Sequence, residues 1–175
     1  MNWIKNILLS HTKLPSKVFE YLSYCRQREE LKNYHYRYTI DKSVRFGNNP
    51  SPILYGDGIL IIDGGTHIGN GATIMAYKGN MVHIGSNCDI SHYLAIYTMN
   101  CSSVDREEVE TGDVVIKNNV WIGHTVFINQ GVTIGEGAVI GAHSVVLNNI
   151  PAYCVAVGAP ARVVKTLSGV WGEQV

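Results

Sequence analysis

Two histidines stand at the same place of a repeating pattern, His92 in "ISHYLA" and His124 in "IGHTVF", each following an isoleucine and one small residue. Neutral imidazole is suited to taking a proton near neutral pH, so a pair of rings in register is a candidate for base work. A second reactive set lies on "IYTMNCSSVDREEVETGDVVI", residues 96–116, with the thiol of Cys101 and the carboxylates of Asp105, Glu107 and Glu108. A thiol of ordinary pKa, about 8.5, is mostly protonated and a poor base unless perturbed, although it is a nucleophile when activated. The acids read either as groups that orient an amine or as a solvated turn. Of the other histidines, His11 and His35 lie outside the repeat, His67 and His83 face outward just before an inward Ile, and His143 sits at a surface turn.

The elements that must position these groups are written as a hexapeptide period. It runs without interruption as "IKNNVW", "IGHTVF", "INQGVT", "IGEGAV", "IGAHSV", "VLNNIP", with Ile116, Ile122, Ile128, Ile134, Ile140 and Val146 at the first place. Val120, Val126, Val132, Ala138, Ser144 and Ile150 hold the fifth. Short strands joined by tight turns, each offering an inward side chain at these two places, stack as a parallel β-helix. The same phase appears earlier at Ile68, Ile74, Ile84 and Ile90, with Cys88 at a small inward place, while Phe46, Tyr55 and Ile62 read as irregular first turns.

Three units make a coil, and the irregularities fix the stacking. Ile134, Ile140 and Val146 lie over Ile116, Ile122 and Ile128; below come Ile84, Ile90 and Ile96, then Ile62, Ile68 and Ile74. This places both insertions, one between Ile74 and Ile84 and a longer one between Ile96 and Ile116, at a single corner, as a loop over 97–115 protruding from a regular prism. His92 and His124 then start one above the other, roughly 4.8 Å apart. Residues 1–40 differ in kind: Val18, Leu22, Cys25 and Glu29 recur at helical spacing, so a helical segment is expected before a coil at 41–166 and a tail at 167–175.

The chain has 175 residues, with 14 basic and 14 acidic side chains and no net charge, so neither nucleic acid nor an anionic membrane surface is indicated. Cys25, Cys88, Cys101 and Cys154 have no paired spacing, which speaks against a disulfide framework or a zinc motif and for reduced thiols. No window has the length and hydropathy of a membrane span and "MNWIKNILLS" is short for a signal peptide, so a cytoplasmic protein is expected.

"NNVWIGHTVFINQGVTIGEGAVIGAHSVVLNNIPAYCVAVGAPARVVK" resembles the hexapeptide-repeat acyltransferases, in particular the sugar O-acetyltransferase branch, over about residues 60 to 166. The resemblance implies a left-handed parallel β-helix, a hand that periodicity does not supply. It also implies a homotrimer and acetyl-CoA bound between neighbouring prisms, with no metal. On the matching motifs, Trp121, Gly123, His124 and Ala142 would line the acetyl-CoA path, and Gly158, Pro160, Ala161, Arg162 and Lys165 its adenine and phosphate end. Tyr77, Tyr97, Asn100, Cys101 and Asp105 would face the acceptor.

One departure bears on the chemistry. The family carries its catalytic histidine on the protruding loop, where it deprotonates the acceptor hydroxyl while backbone N–H groups hold the oxyanion. Here that place is Cys101, and the loop holds no histidine. Either the base has moved, to His92 or His124, or none is needed because the acceptor is an amine. The expected activity is O-acetylation of a sugar or polysaccharide precursor. The alternatives are N-acetylation of a nucleotide-linked amino sugar and an inactive trimeric scaffold. A zinc carbonic anhydrase on the same coil would need three converging histidines, and the spacings lack the close pair.

Overall fold

The computed structural model describes residues 38–102 and 107–167; the expected N-terminal helix, Asp105 and the tail from 168 onward lie outside the described residues. Three parallel sheets form the faces of a three-sided coil. The first stacks Thr39–Ile40, Ile59–Ile62, Met81–Ile84, Val114–Ile116 and Thr133–Ile134. The second stacks Arg45–Phe46, His67–Ile68, Asp89–Ile90, Trp121–Ile122, Val139–Ile140 and Cys154–Val157, with Arg162–Thr166 antiparallel at its edge. The third stacks Ile53–Tyr55, Thr73–Met75, Ala95–Tyr97, Phe127–Ile128 and Val145–Val146.

The register follows the expected coils residue for residue. Ile62 pairs with Ile84, Ile84 with Ile116 and Ile116 with Ile134 on the first face. Ile68, Ile90, Ile122 and Ile140 align on the second, and Ile74, Ile96, Ile128 and Val146 on the third. All of these side chains are buried, as are the fifth-place residues from Thr66 and Cys88 to Ser144 and Ile150. Each large aliphatic side chain so buried contributes about 1.5–3 kcal/mol, and the column is continuous because every first-place residue rests on its neighbour's side chain.

Two ends depart from the repeat. The coil starts at Thr39–Ile40, inside the segment assigned above to the N-terminal region, because Ile40 pairs with Ile62. Leu54, not Tyr55, takes the inward place over which Ile74 stacks, and Tyr55 is turned outward beneath Met75. At the other end Ile150 bridges Ile134 directly, and the chain turns at Pro151, which has no N–H to extend a ladder.

The fourth place of successive units is left-handed: Asn87, Tyr93, Asn119, Thr125 and His143 have φ between 55 and 59°, and Gly131 and Gly137 are at 75 and 62°. Side chains tolerate this region poorly, at a cost of roughly 1–2 kcal/mol each, so the corner carrying Tyr93, Thr125 and His143 is held by its surroundings. Second-place glycines have a different cause. A Cβ on Gly123 would stand 2.6 Å from the backbone nitrogen of Ala142 in the coil above.

At the corner after the third face the chain leaves the prism as an antiparallel hairpin. Met99–Cys101 pairs with Val109–Thr111, with Cys101 opposite Val109. Its root is the fully buried Thr98, whose hydroxyl accepts the N–H of Tyr77 at 2.7 Å and donates to the carbonyl of Met75 at 3.3 Å. The Thr98 carbonyl accepts the N–H of Gly112 at 3.0 Å on the returning strand. The short insertion and the long one are thereby tied together.

Truncating the central column by Ile122→Ala is expected to cost about 2–5 kcal/mol in denaturant unfolding. Thr98→Val, which keeps the shape but orphans the N–H of Tyr77, is expected to cost about 1–3 kcal/mol by the same measurement. Burial pushes the Cys88 and Cys154 thiols up, whereas Cys101 is exposed. Brief alkylation of the folded protein followed by peptide mass mapping is expected to find Cys101 modified before either of the other two.

Candidate active site

Most of the expected site residues that are described lie at or beside two corners of the prism. The first lies between the second and third faces. His92 and His124 stack with ring centroids 6.1 Å apart, edge to face, and His143 adds a third ring 5.8 Å from His124. His143 stands one place further along its unit than His92 and His124, yet its ring lies against that of His124. Tyr93 packs 5.4 Å from the His124 ring on the outer side.

Hydrogen bonds at this corner fix more than position. The N–H of Asn70, one coil below, donates to Nδ1 of His92 at 2.9 Å. Nδ1 of His124 is engaged by the Thr125 hydroxyl. The carbonyls of His92 and His124 accept the N–H groups of Thr125 and His143 at 2.9 and 2.8 Å. The backbone N–H groups of His92, His124 and Ala142, by contrast, meet no acceptor among the described residues, so three donors follow one another up the corner.

The residues expected around the donor lie on the same line. Trp121 projects from the second face between Asp89 and Val139 with 56% of its surface exposed, a costly place for an indole. Above Ala142 the turn of Gly158, Pro160 and Ala161 is fastened to the last full coil. The Gly158 N–H donates to the buried Ser144 hydroxyl at 3.1 Å, and the Ala161 N–H donates to the Val145 carbonyl at 2.8 Å. Arg162 and Lys165 follow on the exposed edge strand, Arg162 with Nη1 donating to the Ala161 carbonyl at 3.0 Å.

The second corner, between the third and first faces, carries the hairpin. Tyr77, Tyr97, Asn100 and Cys101 line a groove of about 410 Å³ together with Tyr55, Met75, Met99, Asp57 and Lys78. Its floor is aromatic and thioether. Tyr97 stacks on Phe127 at 5.9 Å, and desolvation, joined by a hydrogen bond to Tyr97, holds the Tyr55 phenol above its usual pKa. The Asn100 side chain accepts the N–H of Cys101 at 2.9 Å, which ties the two residues together on the outgoing strand of the hairpin. Glu107 and Glu108 are exposed on the hairpin, the latter accepting the Ser102 N–H through its carbonyl at 2.8 Å.

Within one chain these two groups do not meet. The strand Ala95–Tyr97, the width of the third face, separates them. Tyr55, Met75, Met99, Asp57 and Lys78 were not singled out in the sequence. The signal was present in the stacking phase, since Leu54 beneath Ile74 places Tyr55 beneath Met75 and Tyr97. His67 and His83 face outward as expected, His67 3.2 Å from Asp89 and His83 2.9 Å from Asp63. Among the described residues no three His, Cys, Asp or Glu side chains converge on a metal-sized point.

The repeat family described as bacterial transferase hexapeptide (six repeats) matches residues 113–148. No curated protein matches the chain by sequence. Among solved structures, a hexapeptide-repeat-containing acetyltransferase from Vibrio cholerae is similar in fold, with a TM-score of 0.67 at 24% identity over 94% of this chain and 99% of that one. The polysialic acid O-acetyltransferase OatWY is 30% identical over 71% of this chain and 63% of its own, with a TM-score of 0.58. A maltose O-acetyltransferase from Clostridium difficile 630 is 29% identical over 75% of this chain and 67% of its own, with a TM-score of 0.51. The six-residue period, the three-sided parallel coil and these likenesses show that the chain carries the bacterial transferase hexapeptide repeat and shares its fold with hexapeptide-repeat acetyltransferases.

Proposed function

We propose that the protein is an acetyl-CoA-dependent O-acetyltransferase of a sugar or polysaccharide precursor, acting in the cytoplasm as a homotrimer. The observation that carries this reading is the division of the site. A run of backbone donors without acceptors among the described residues follows one corner, with an exposed indole on the face beside it, while an aromatic groove under a hairpin occupies another corner. Neither half is a site alone. A neighbouring prism that presents its hairpin to the histidine corner would complete both and would cover Trp121.

In such an assembly the extended arm of the donor runs along the corner from Arg162 and Lys165 down past Ala142 to His124. The free N–H groups suit carbonyl oxygens, and a backbone donor near the thioester stabilises the oxyanion as the acceptor hydroxyl attacks. The hydroxyl must lose a proton in that step. In this reading His124 takes it: in the tautomer whose Nδ1–H donates to the Thr125 hydroxyl, Nε2 carries the lone pair. The acceptor lies in the tyrosine groove, where ring faces pack against the apolar face of a sugar and Asn100, Asp57 and Lys78 offer hydrogen bonds to its rim.

A second reading is supported by one observation. The lone pair of His92 is already engaged by Asn70, and no histidine among the described residues lines the tyrosine groove. An amine acceptor that sheds its proton to water needs no base there, so N-acetylation of an amino sugar fits the same geometry.

Transfer from acetyl-CoA to a panel of sugars, nucleotide sugars and amino sugars tests both. Hydroxylamine releases acetyl from an ester product and leaves an amide, so the product itself identifies the atom acetylated. An inactive protein across the panel would refute the reading. Trp121→Ala is expected to raise KM for acetyl-CoA about tenfold with acceptor KM little changed, and Tyr97→Ala the reverse, each near ~1.4 kcal/mol. Light scattering is expected to give three times the 19.3 kDa chain mass.

A further inference from the structure

Asn118 and His92, each at the third place of its unit, close the coil beneath them. Oδ1 of Asn118 accepts the N–H of Ser86 at 3.0 Å, and Nδ1 of His92 accepts the N–H of Asn70 at 2.9 Å in the equivalent arrangement one corner on. A neutral imidazole has one lone pair and one N–H. The nitrogen that accepts a backbone N–H is the one with the lone pair, so the proton of the neutral ring resides on Nε2.

This has a chemical consequence for the exposed side of the ring. To act as a base through Nε2, the ring would have to shift its proton to Nδ1, where it would face the N–H of Asn70 donor against donor. To act through Nδ1, it would first have to break that backbone bond. We propose that His92 serves the donor corner as a fixed hydrogen-bond donor through Nε2–H, and not as its base, a role that rests on the acetyl-transfer reading above. The backbone N–H groups of His92, His124 and Ala142 find no acceptor among the described residues, so Nε2–H adds a fourth donor to the same strip. What such a strip takes is oxygen. The group that gains most from it is the thioester carbonyl of the acyl donor, whose oxygen acquires negative charge as the acceptor attacks. The proton taken from the acceptor goes elsewhere, to His124 or to solvent, and His92 ends the step with the proton it began with.

Two substitutions separate the inward bond from the outward one. In His92→Asn the amide oxygen can stand where Nδ1 does and accept from Asn70, as Asn118 does for Ser86, while the outward donor is lost. In His92→Gln the terminal amide N–H reaches the place of Nε2. The full-length protein labelled with nitrogen-15 histidine, in the pH range where the ring is neutral, is expected to show Nδ1 of His92 as the unprotonated nitrogen and Nε2 as the protonated one. The His92→Asn protein, which lacks these signals, assigns them. His92→Asn is expected to keep the melting temperature and lose roughly 100-fold in kcat, and His92→Gln to recover about tenfold of that loss. A proton on Nδ1, or a Gln variant no more active than the Asn variant, would overturn the proposal. A wild-type protein without acetyl transfer would count against the function proposed above, while the nitrogen signals would still decide the tautomer.

Discussion

Every inward side chain of the coil stands on its counterpart one turn below, Ile62 under Ile84 under Ile116 under Ile134 on one face and matching columns on the other two. This in-register stacking is the constraint on which the rest depends. Inward and outward places alternate, so a slip by one residue would turn a whole face of isoleucines to water. The ladder hydrogen bonds and the buried columns therefore demand the same register, and outward residues have no freedom of their own. Asp89 below Trp121 below Val139, or His92 below His124, are where they are because Ile90, Ile122 and Ile140 are stacked.

The constraint also explains where polar groups enter the core. Thr66, Thr98 and Ser144 are fully buried, and each hydroxyl is paired within the backbone: Thr66 with the Gly85 carbonyl and the Cys88 N–H, Ser144 with the Gly141 carbonyl and the Gly158 N–H. An unpaired hydroxyl there would cost more than the methyl it replaces contributes, so these residues occur where a carbonyl and an N–H are left open. Thr98 and Ser144 stand where the chain departs from the repeat, at the root of the hairpin and beneath the Gly158 turn. Each departure belongs to a different half of the candidate site. The prism is rigid because it repeats, and it is useful where it stops repeating.

Much of this was legible in the letters. The six-residue period named the inward residues, and the two insertions, once aligned, named both the coil membership and the corner from which the hairpin leaves. Tyr77, Tyr97, Asn100 and Cys101 were named by the resemblance, and they line one groove because they flank two insertions at the same edge. Tyr55 escaped because the first coil is irregular and its inward residue, Leu54, comes one place earlier than the phase suggested. His143 escaped because it stands at the fourth place of its unit, whereas His92 and His124 stand at the third.

What the sequence determined by itself is the register, because the alternation of large inward aliphatics with outward polar residues has one stacking that buries them all. What only the tertiary structure decided is the state of the groups on the corners. Whether an imidazole offers a lone pair or a proton depends on which atom of another turn it faces, and Asn70 and His92 are neighbours only through the coil. The separation of histidine corner from tyrosine groove is of the same kind. It is set by the width of a face, a distance that three-dimensional stacking imposes and that no spacing of letters states.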